Sequence, residues 1–414
     1  MKIAILTSGI LPVPAVQGGA VENLIDFYLD YNNTYHLHDI TVYSIWHPDV
    51  DNHPAQKSEV NHYKYIKVNG ILPILKKKWY QMTHGKEYYH YTIEYYLHEA
   101  MKDIRKKNLD IIIMENRPAY ALKVKEKTNA KLVYHLHNEK LNLQTNKAQE
   151  IYDAATSILT VSDYIKRCVQ TINPLDQKTK TVYNGIDLSA FSKKATTNRS
   201  AIGFQEEDFI LVFSGRMNRD KGVKELIGAM NLLMDYSQIK LMVIGSTFFG
   251  NATNDDTFTT ELKIQAEPLK ERIIFTGFIP YSNIPNYLQM ADVAVIPSIW
   301  NDPFPTTVLE AQAIGLPIIT THRGGIPEEV TEENAILLDT DEHFIDNLAS
   351  AILDLYHHPE MRQQMSAASL ERSKRFDKET YAKHFFDSLK DLYYKPTNGL
   401  SMNVTKTPQH PSNY

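Results

Sequence analysis

The 414-residue chain reads as α/β, with two doubly wound, parallel-sheet domains. Three observations predict this. Apolar, strand-like runs alternate with helix-period segments through both halves. The chain opens on a strand, a glycine-containing loop and a helix, the usual start of such a domain. A polar, aperiodic stretch at 188–206 ends one series, and a second series restarts behind it. The length also exceeds what one core normally holds, so two domains are expected.

In the first half, "KIAILTSG" (2–9) is a buried strand ending in Gly9, and "AVENLIDFYLDY" carries Val21, Leu24, Ile25, Tyr28 and Leu29 at helical spacing. "DITVYSI" (39–45), "LDIIIMEN" (109–116) and "AKLVYHLHN" (130–138) are further strands. "TSILTVSDYIKRCV" (156–169) gives a short strand and a helix starting near Ser162 or Asp163, and "KTVYNGID" (180–187) closes the half. In the second half, strands are expected at 209–215, 239–245, in "IIFTGFI", at 292–298 and at 317–321, with helices "VKELIGAMNLLMDY", "TFTTELKIQAEPLKE" and "NIPNYLQMA" between them. "FDKETYAKHFFDSLKDLYY" (376–394) is a long amphipathic helix, and the polar, Pro/Asn-rich tail at 395–414 is expected to be disordered. We place the domains at 1–190 and 191–375. Right-handed crossovers put the loops after the strands on one rim of each sheet, so ligands are expected in the cleft between the rims.

Bulk properties exclude several classes. With 43% hydrophobic and 22% charged residues the composition is globular, and a net charge of −5 with a pI near 6.4 gives no global signal for nucleic acid. The single cysteine, Cys168, cannot form an intrachain disulfide. No window approaches 18 uninterrupted apolar residues, and the N-terminal apolar run is too short for a signal peptide. A cytoplasmic setting is expected.

Gly18 and Gly19 precede the first helix, where adjacent glycines let backbone amides approach a phosphate; a plain turn is the alternative. The nicotinamide fingerprint G-x-G-x-x-G is absent there, which counts against a dehydrogenase. In "SGRMNRDKG" (214–222), Arg216 and Lys221 lie between a strand and a helix. Two cations with backbone amides make a diphosphate site without a metal; a solvated basic loop is the alternative. In "DPFPTTVLE" (302–310), Glu310 falls in the first turns of a helix that stops at Gly315, before Pro317. Pro305 suits the first helical position, and Thr306 and Thr307 offer hydroxyls and free N–H groups. A carboxylate there can take two hydrogen bonds from a vicinal diol such as ribose. Asp302 could hold a polyol at the far end of the same ligand. Alternatively both acids simply favour the helix dipole. Two D-x-D triplets, at 49–51 and 339–341, are read as chance, because neither is taken to follow an apolar strand as a metal–nucleotide site would.

Together these motifs carry a resemblance. "DPFPTTVLEAQAIGLPIITTHRGGIPE" resembles the E-x7-E region of the family-4 retaining glycosyltransferases, with Asp in place of the first Glu. "FSGRMNRDKGV" resembles that family's G-R-x-x-x-x-K-G segment, and "GGAVE", "VYNGID", "TGFIP" and "ADVAVIPS" match in order. Bacterial surface-polysaccharide glycosyl- and rhamnosyltransferases are the members most resembled, over residues 1 to about 390. The resemblance implies the GT-B fold: two Rossmann-like domains across a cleft, with the C-terminal helix returning to the first. It implies transfer of a sugar from a nucleotide-diphosphate donor with retention and without a metal or other cofactor. By position, Arg216 and Lys221 would hold the diphosphate, Glu310 the ribose, and Asp302 the sugar. Gly277 and Phe278 would frame the base, and Gly18 and Gly19 would close over the diphosphate. His137 matches a histidine near the transferred sugar; a satisfied strand-end histidine is the alternative. Asn184 and Ser162 are lesser cleft-facing candidates.

This chain departs from the pattern twice. Asp302 is one methylene, about 1.5 Å, shorter than Glu. Pro305 stands where Gly is common, so a backbone donor is lost and Phe304, Thr306 and Thr307 must supply the N–H groups. Residues 71–98 combine four lysines, three of them consecutive, with a tryptophan and six tyrosines. That suits a peripheral contact with the inner face of a membrane and a lipid-linked saccharide acceptor, or else a tyrosine-packed helix with a solvated lysine turn. Asn116 in "ENRP" (115–118) could shape the acceptor site. Two rival functions are a nucleotide-sugar epimerase on the same frame and a non-catalytic nucleotide-sugar-binding protein.

Overall fold

Seven parallel strands form the first sheet of the computed structural model, which describes residues 1–83, 88–192, 198–245 and 257–393. They are β1 (Lys2–Leu6), β2 (Asp39–Ile45), β3 (Asn61–Ile66), β4 (Ile111–Glu115), β5 (Lys131–Leu136), β6 (Ser157–Thr160) and β7 (Thr179–Thr181), in the order β3-β2-β1-β4-β5-β6-β7. The second sheet holds β8 (Phe209–Ser214), β9 (Ile239–Ile244), β10 (Ile273–Gly277), β11 (Val293–Ile296), β12 (Ile318–Thr321) and β13 (Ala335–Leu338), in the order β10-β9-β8-β11-β12-β13. All pairings are parallel. The chain direction across each sheet reverses once, at β1/β4 and at β8/β11. Those are the points where doubly wound sheets open a crevice for ligand. The architecture is GT-B, as the resemblance implied.

The strand cores are Ile, Val and Leu runs covered on both faces, as parallel sheets require. The edge strand β3, "NHYKYI", escaped the sequence pattern, because its burial is partial and alternating. The four-residue edge strand β13 and the helices Phe344–His357 and Pro359–Ser373 went unread as well. The 188–206 stretch includes a short helix, Leu188–Phe191, and a 3-10 turn, Arg199–Ile202. Residues 193–197 of it, residues 84–87 of the tyrosine-rich segment and the tail at 395–414 lie outside the described residues.

The expected C-terminal helix runs Lys378–Leu389 and packs on the first helix, Ala20–Tyr35. The Phe385 ring stacks on Tyr28 at 4.1 Å and 1°. Tyr381, Ala382, Phe385, Phe386 and Leu389 all join the core that covers one face of the first sheet. The chain thus leaves the first sheet, builds the second, and returns to finish the first.

Candidate active site

The loops after β8 and β11 bring together two residues that lie 81 apart. After β8, a 3-10 turn (Arg219–Lys221) runs into the helix Val223–Leu232 through Gly222, whose φ is 72°. A Cβ at Gly222 would sit 1.8 Å from the Pro297 carbonyl oxygen, so only glycine lets this turn lie against the β11 loop. The close approach carries Lys221 to Asp302, and the ammonium and carboxylate form an ion pair. Asp302 is fixed from behind as well: its carbonyl accepts from the Gly325 N–H at 2.7 Å. Arg216 stands exposed on the same loop as Lys221.

The helix Thr306–Ile314 follows, and Pro305 is its cap rather than its first residue, with ψ 121°. This corrects the sequence assignment by one position, and Thr306 becomes the first helical residue. Glu310 lies one turn further in, buried. Desolvation pushes its carboxyl up to about 8, against a hydrogen bond from Thr306 that favours the ion. Glu310 and Thr306 line a cavity of about 110 Å³ whose other wall is Gly19, Ala20, Asn23 and Phe27 of the first domain. Tyr281 and Gly185 complete it. Gly19 and Glu310, 291 positions apart in sequence, therefore share one interdomain cavity. Thr307 sits partly exposed beside Thr306. Gly277, with φ 71°, has open space around it, and Phe278 behind it is exposed.

Three candidates have structural duties. Phe304 is buried, its ring stacked on Tyr183 at 5.2 Å and packed on Phe376 at 5.7 Å. Asn184 donates to the Phe304 carbonyl at 3.0 Å across the domain boundary. Ser162, expected to face the cleft, is instead fully buried. Its hydroxyl caps the helix Asp163–Gln170 by accepting from the Ile165 N–H at 3.3 Å. Glu328 of the second domain reaches the same helix end and accepts from the Asp163 and Tyr164 N–H groups, both at 2.7 Å.

His137 occupies the end of the β5 segment, with its Nε2 3.0 Å from Glu115 Oε2. Asn116, in the left-handed region at φ 56°, accepts from the His137 N–H at 3.3 Å and from the Asn138 amide at 2.6 Å. Asn116 thus holds the loop that carries His137. The D-x-D expectation needs a correction: Asp339 directly follows β13. Yet Asp339 is paired with His322 at 3.0 Å, and Asp341 accepts from the His343 N–H at 3.0 Å, so both acids serve edge-loop contacts. Among the described residues, the group with metal-like spacing is Glu115, His135 and His137, with ligand atoms within 4.8 Å of one another. A larger open hollow, about 720 Å³, is lined by Lys2, Asp39, His62, Lys64, Lys106 and Lys107. It lies where strands begin, away from the strand ends that bind ligand in such sheets.

Several cleft residues escaped the sequence pattern. Asn23, Phe27 and Tyr281 sit on helix or turn positions that look like ordinary packing. Glu22 is buried in the first helical turn, where desolvation pushes its carboxyl up to about 7. Glu329 is buried behind Asp302 and Lys221, and burial pushes its carboxyl well up. Only the fold shows these neighbours.

A model of the family described as "Glycosyl transferases group 1" matches residues 194–372. "Putative glycosyltransferase YtcC" of Bacillus subtilis is 31% identical over 380 residues, covering 88% of this chain and 86% of its own length. The chain belongs to the group 1 glycosyltransferases. A second relative of this glycosyltransferase is "Spore coat protein SA" of the same organism, 28% identical over 89% of this chain and 93% of its own length. Its fold is shared with Anabaena HepE solved with UDP, at a TM-score of 0.70, 19% identity, and coverage of 94% and 100%. Sucrose-phosphate synthase from Thermosynechococcus elongatus shares it at a TM-score of 0.76, 18% identity, and coverage of 95% and 99%. The family match spans the second domain, which carries Arg216, Lys221, Asp302 and Glu310.

Proposed function

We propose that this glycosyltransferase moves a hexose or deoxyhexose from a nucleoside-diphosphate sugar to a lipid-linked saccharide during surface-polysaccharide assembly, with retention and without a metal. One observation carries the proposal: Gly19 of the first domain walls the Glu310–Thr306 cavity, and the helix that bears Glu310 starts four residues after Asp302, the ion-pair partner of Lys221. Glu310 takes the ribose diol, Arg216 and Lys221 take the diphosphate, and Gly18 and Gly19 approach it from the other side. Asp302 exchanges Lys221 for the hydroxyls of the donor sugar. Gly277 and Phe278 flank the base, and the Thr306 and Thr307 N–H groups point from a helix start where anions are favoured.

In the transfer, the bond from the anomeric carbon to the diphosphate oxygen breaks, and its electron pair stays on the diphosphate. The acceptor oxygen bonds to the same face, and its proton passes to the leaving oxygen. Lys221 and Arg216 stabilise that developing charge, so no carboxylate nucleophile is needed. UDP and UDP-glucose in the HepE structures support a nucleotide-sugar donor, and UDP-glucose and dTDP-rhamnose are the first to test. A thermal-shift screen across nucleotide sugars reads binding directly. Product analysis with and without acceptor then separates transfer from epimerisation; isomerised sugar without acceptor overturns the proposal.

Glu310 gives a pH signature. Its unliganded carboxyl, at about 8, is protonated at neutral pH, whereas a diol donates to the ionised form. Binding must therefore expel a proton, so affinity for the selected nucleotide rises from pH 6 until the pH passes about 8. Glu310→Gln should weaken binding by about ten- to hundredfold above that pH and flatten the profile, because hydrogen bonds to a charged group are worth roughly 1.5–3 kcal/mol. Calorimetric titration checks this, and an unchanged profile removes Glu310 from the ribose role.

The helix Ile71–Thr83 supports the membrane contact through the expected lysines and Trp79, joined by aliphatic residues in place of the tyrosines at 80, 95 and 96. Tyr80, Tyr95 and Tyr96 turn inward. Ile71, Ile74, Leu75, Trp79 and Met82 are instead 45–86% exposed, on the side away from buried Tyr80, among Lys76, Lys77 and Lys78. An apolar face edged with lysines suits an anionic bilayer surface. No described helix is long and apolar enough to cross a membrane. Replacing the three lysines with alanine should weaken binding to anionic vesicles by roughly 10²-fold, at about 1 kcal/mol per lysine. Unchanged vesicle sedimentation rejects the contact.

A further inference from the structure

The strand ends of β4 and β5 hold a buried polar cluster of Glu115, His135 and His137. The two strands are parallel, and Glu115 lies opposite His135 in register. His137 follows two positions on, so it projects to the same side as His135. The Glu115 and His135 side chains are fully buried, while His137 keeps 6% of its side chain exposed. His137, at the C-terminal end of β5, is therefore the member of the cluster nearest solvent.

The hydrogen bonds fix where protons sit. Tyr28 OH donates to Glu115 Oε1 at 2.9 Å. His135 Nδ1 lies 3.0 Å and His137 Nε2 also 3.0 Å from Glu115 Oε2. Burial alone would raise the Glu115 carboxyl, but His135 and His137 outweigh it and hold it down at about 2, so it is a carboxylate. A carboxylate only accepts, so both facing imidazole nitrogens carry the hydrogen. Burial and neighbouring His135 push His137 down to about 4, which leaves it neutral at physiological pH. Its remaining nitrogen, Nδ1, then carries a lone pair and no proton.

We propose that Glu115 is a positioning residue that locks His137 in the Nε2–H tautomer, so that Nδ1 accepts a hydrogen bond from a sugar hydroxyl in the cleft. The same three residues could be taken for a metal site. However, Tyr28 and two imidazoles already fill the carboxylate with donors, and their hydrogens occupy the space a cation would need. The proposal rests on the cleft being the transfer site, but its first test does not. The ¹⁵N spectrum of histidine-labelled full-length protein, with His137 assigned by loss of its signal in His137→Gln, should show His137 protonated on Nε2 alone. In Glu115→Gln the carboxamide N–H₂ can face that nitrogen, so the tautomer should shift toward Nδ1–H. The kcat/KM for transfer should fall about 10–100-fold, as for other residues that orient a functional histidine. A merely structural Glu115 would lower stability and leave the tautomer alone. Nδ1–H in the parent protein, or a stoichiometric metal whose chelation abolishes activity, overturns the proposal. The parent spectrum decides the tautomer even if Glu115→Gln does not fold. A screen that finds no donor would sink the functional proposal without touching the tautomer.

Discussion

Lys221→Met is expected to lower kcat for sugar transfer by about 10²–10³-fold, the usual loss when one preorganised donor to a developing charge is removed. The side chain is held at the site twice over. The Gly222 turn presses on the Pro297 carbonyl, and the Asp302 carboxylate grips the ammonium in the unliganded protein. The ammonium also lies 5.9 Å over the Trp300 ring. A diphosphate brings more negative charge than one carboxylate, so in the proposed complex the donor displaces Asp302 from Lys221 and frees it for the sugar. The cation then meets its strongest partner only as the glycosidic bond breaks, and the loss should fall mainly on kcat rather than KM. Lys221→Arg keeps the charge but changes the reach, and should recover only part of the rate. A Lys221→Met enzyme with parental kcat would show that the diphosphate is stabilised elsewhere.

Phe385→Ala is expected to destabilise the first domain by about 3–5 kcal/mol, the range for deleting a buried phenylalanine ring. Phe385 is fully buried, stacked on Tyr28 and 5.3 Å from the His135 ring. It therefore closes the hydrophobic face of the first sheet and also seals the Glu115 cluster from behind. Little of that space can collapse, because Tyr381 and Phe386 on either side are already committed to the same core. Denaturant unfolding of the full chain, followed by Trp46 in the first domain, measures the change. A loss below about 1 kcal/mol would mean that the returning helix is an accessory and not part of the core.

Much of the frame was legible because strand and helix periods are local. The β2 segment 39–45 and a helix start near Ser162 or Asp163 followed from the local pattern alone. Edge strands resisted: "NHYKYI" exposes one side, so it lacks the continuous apolar run of a buried parallel strand. The tyrosines at 80, 95 and 96 misled in the opposite direction, since an aromatic ring suits a core and a membrane equally well by composition. His135 and His137 carried a usable signal: alternate residues on a strand share a face. Glu115 at the end of the neighbouring strand becomes their partner only when β4 and β5 pair.

The sequence by itself determined two α/β halves, the loops that carry Arg216 and Lys221, and the helix that carries Glu310. Spacing along the chain controls those features, through backbone periodicity, glycine turns and caps. Only the tertiary structure decided that Asp302 meets Lys221, that Gly19 faces Glu310, and that Glu328 caps a helix 165 residues earlier. The first pairing joins two loops of one sheet and the other two join the two domains, and no local period records which side chains the crossovers will bring together.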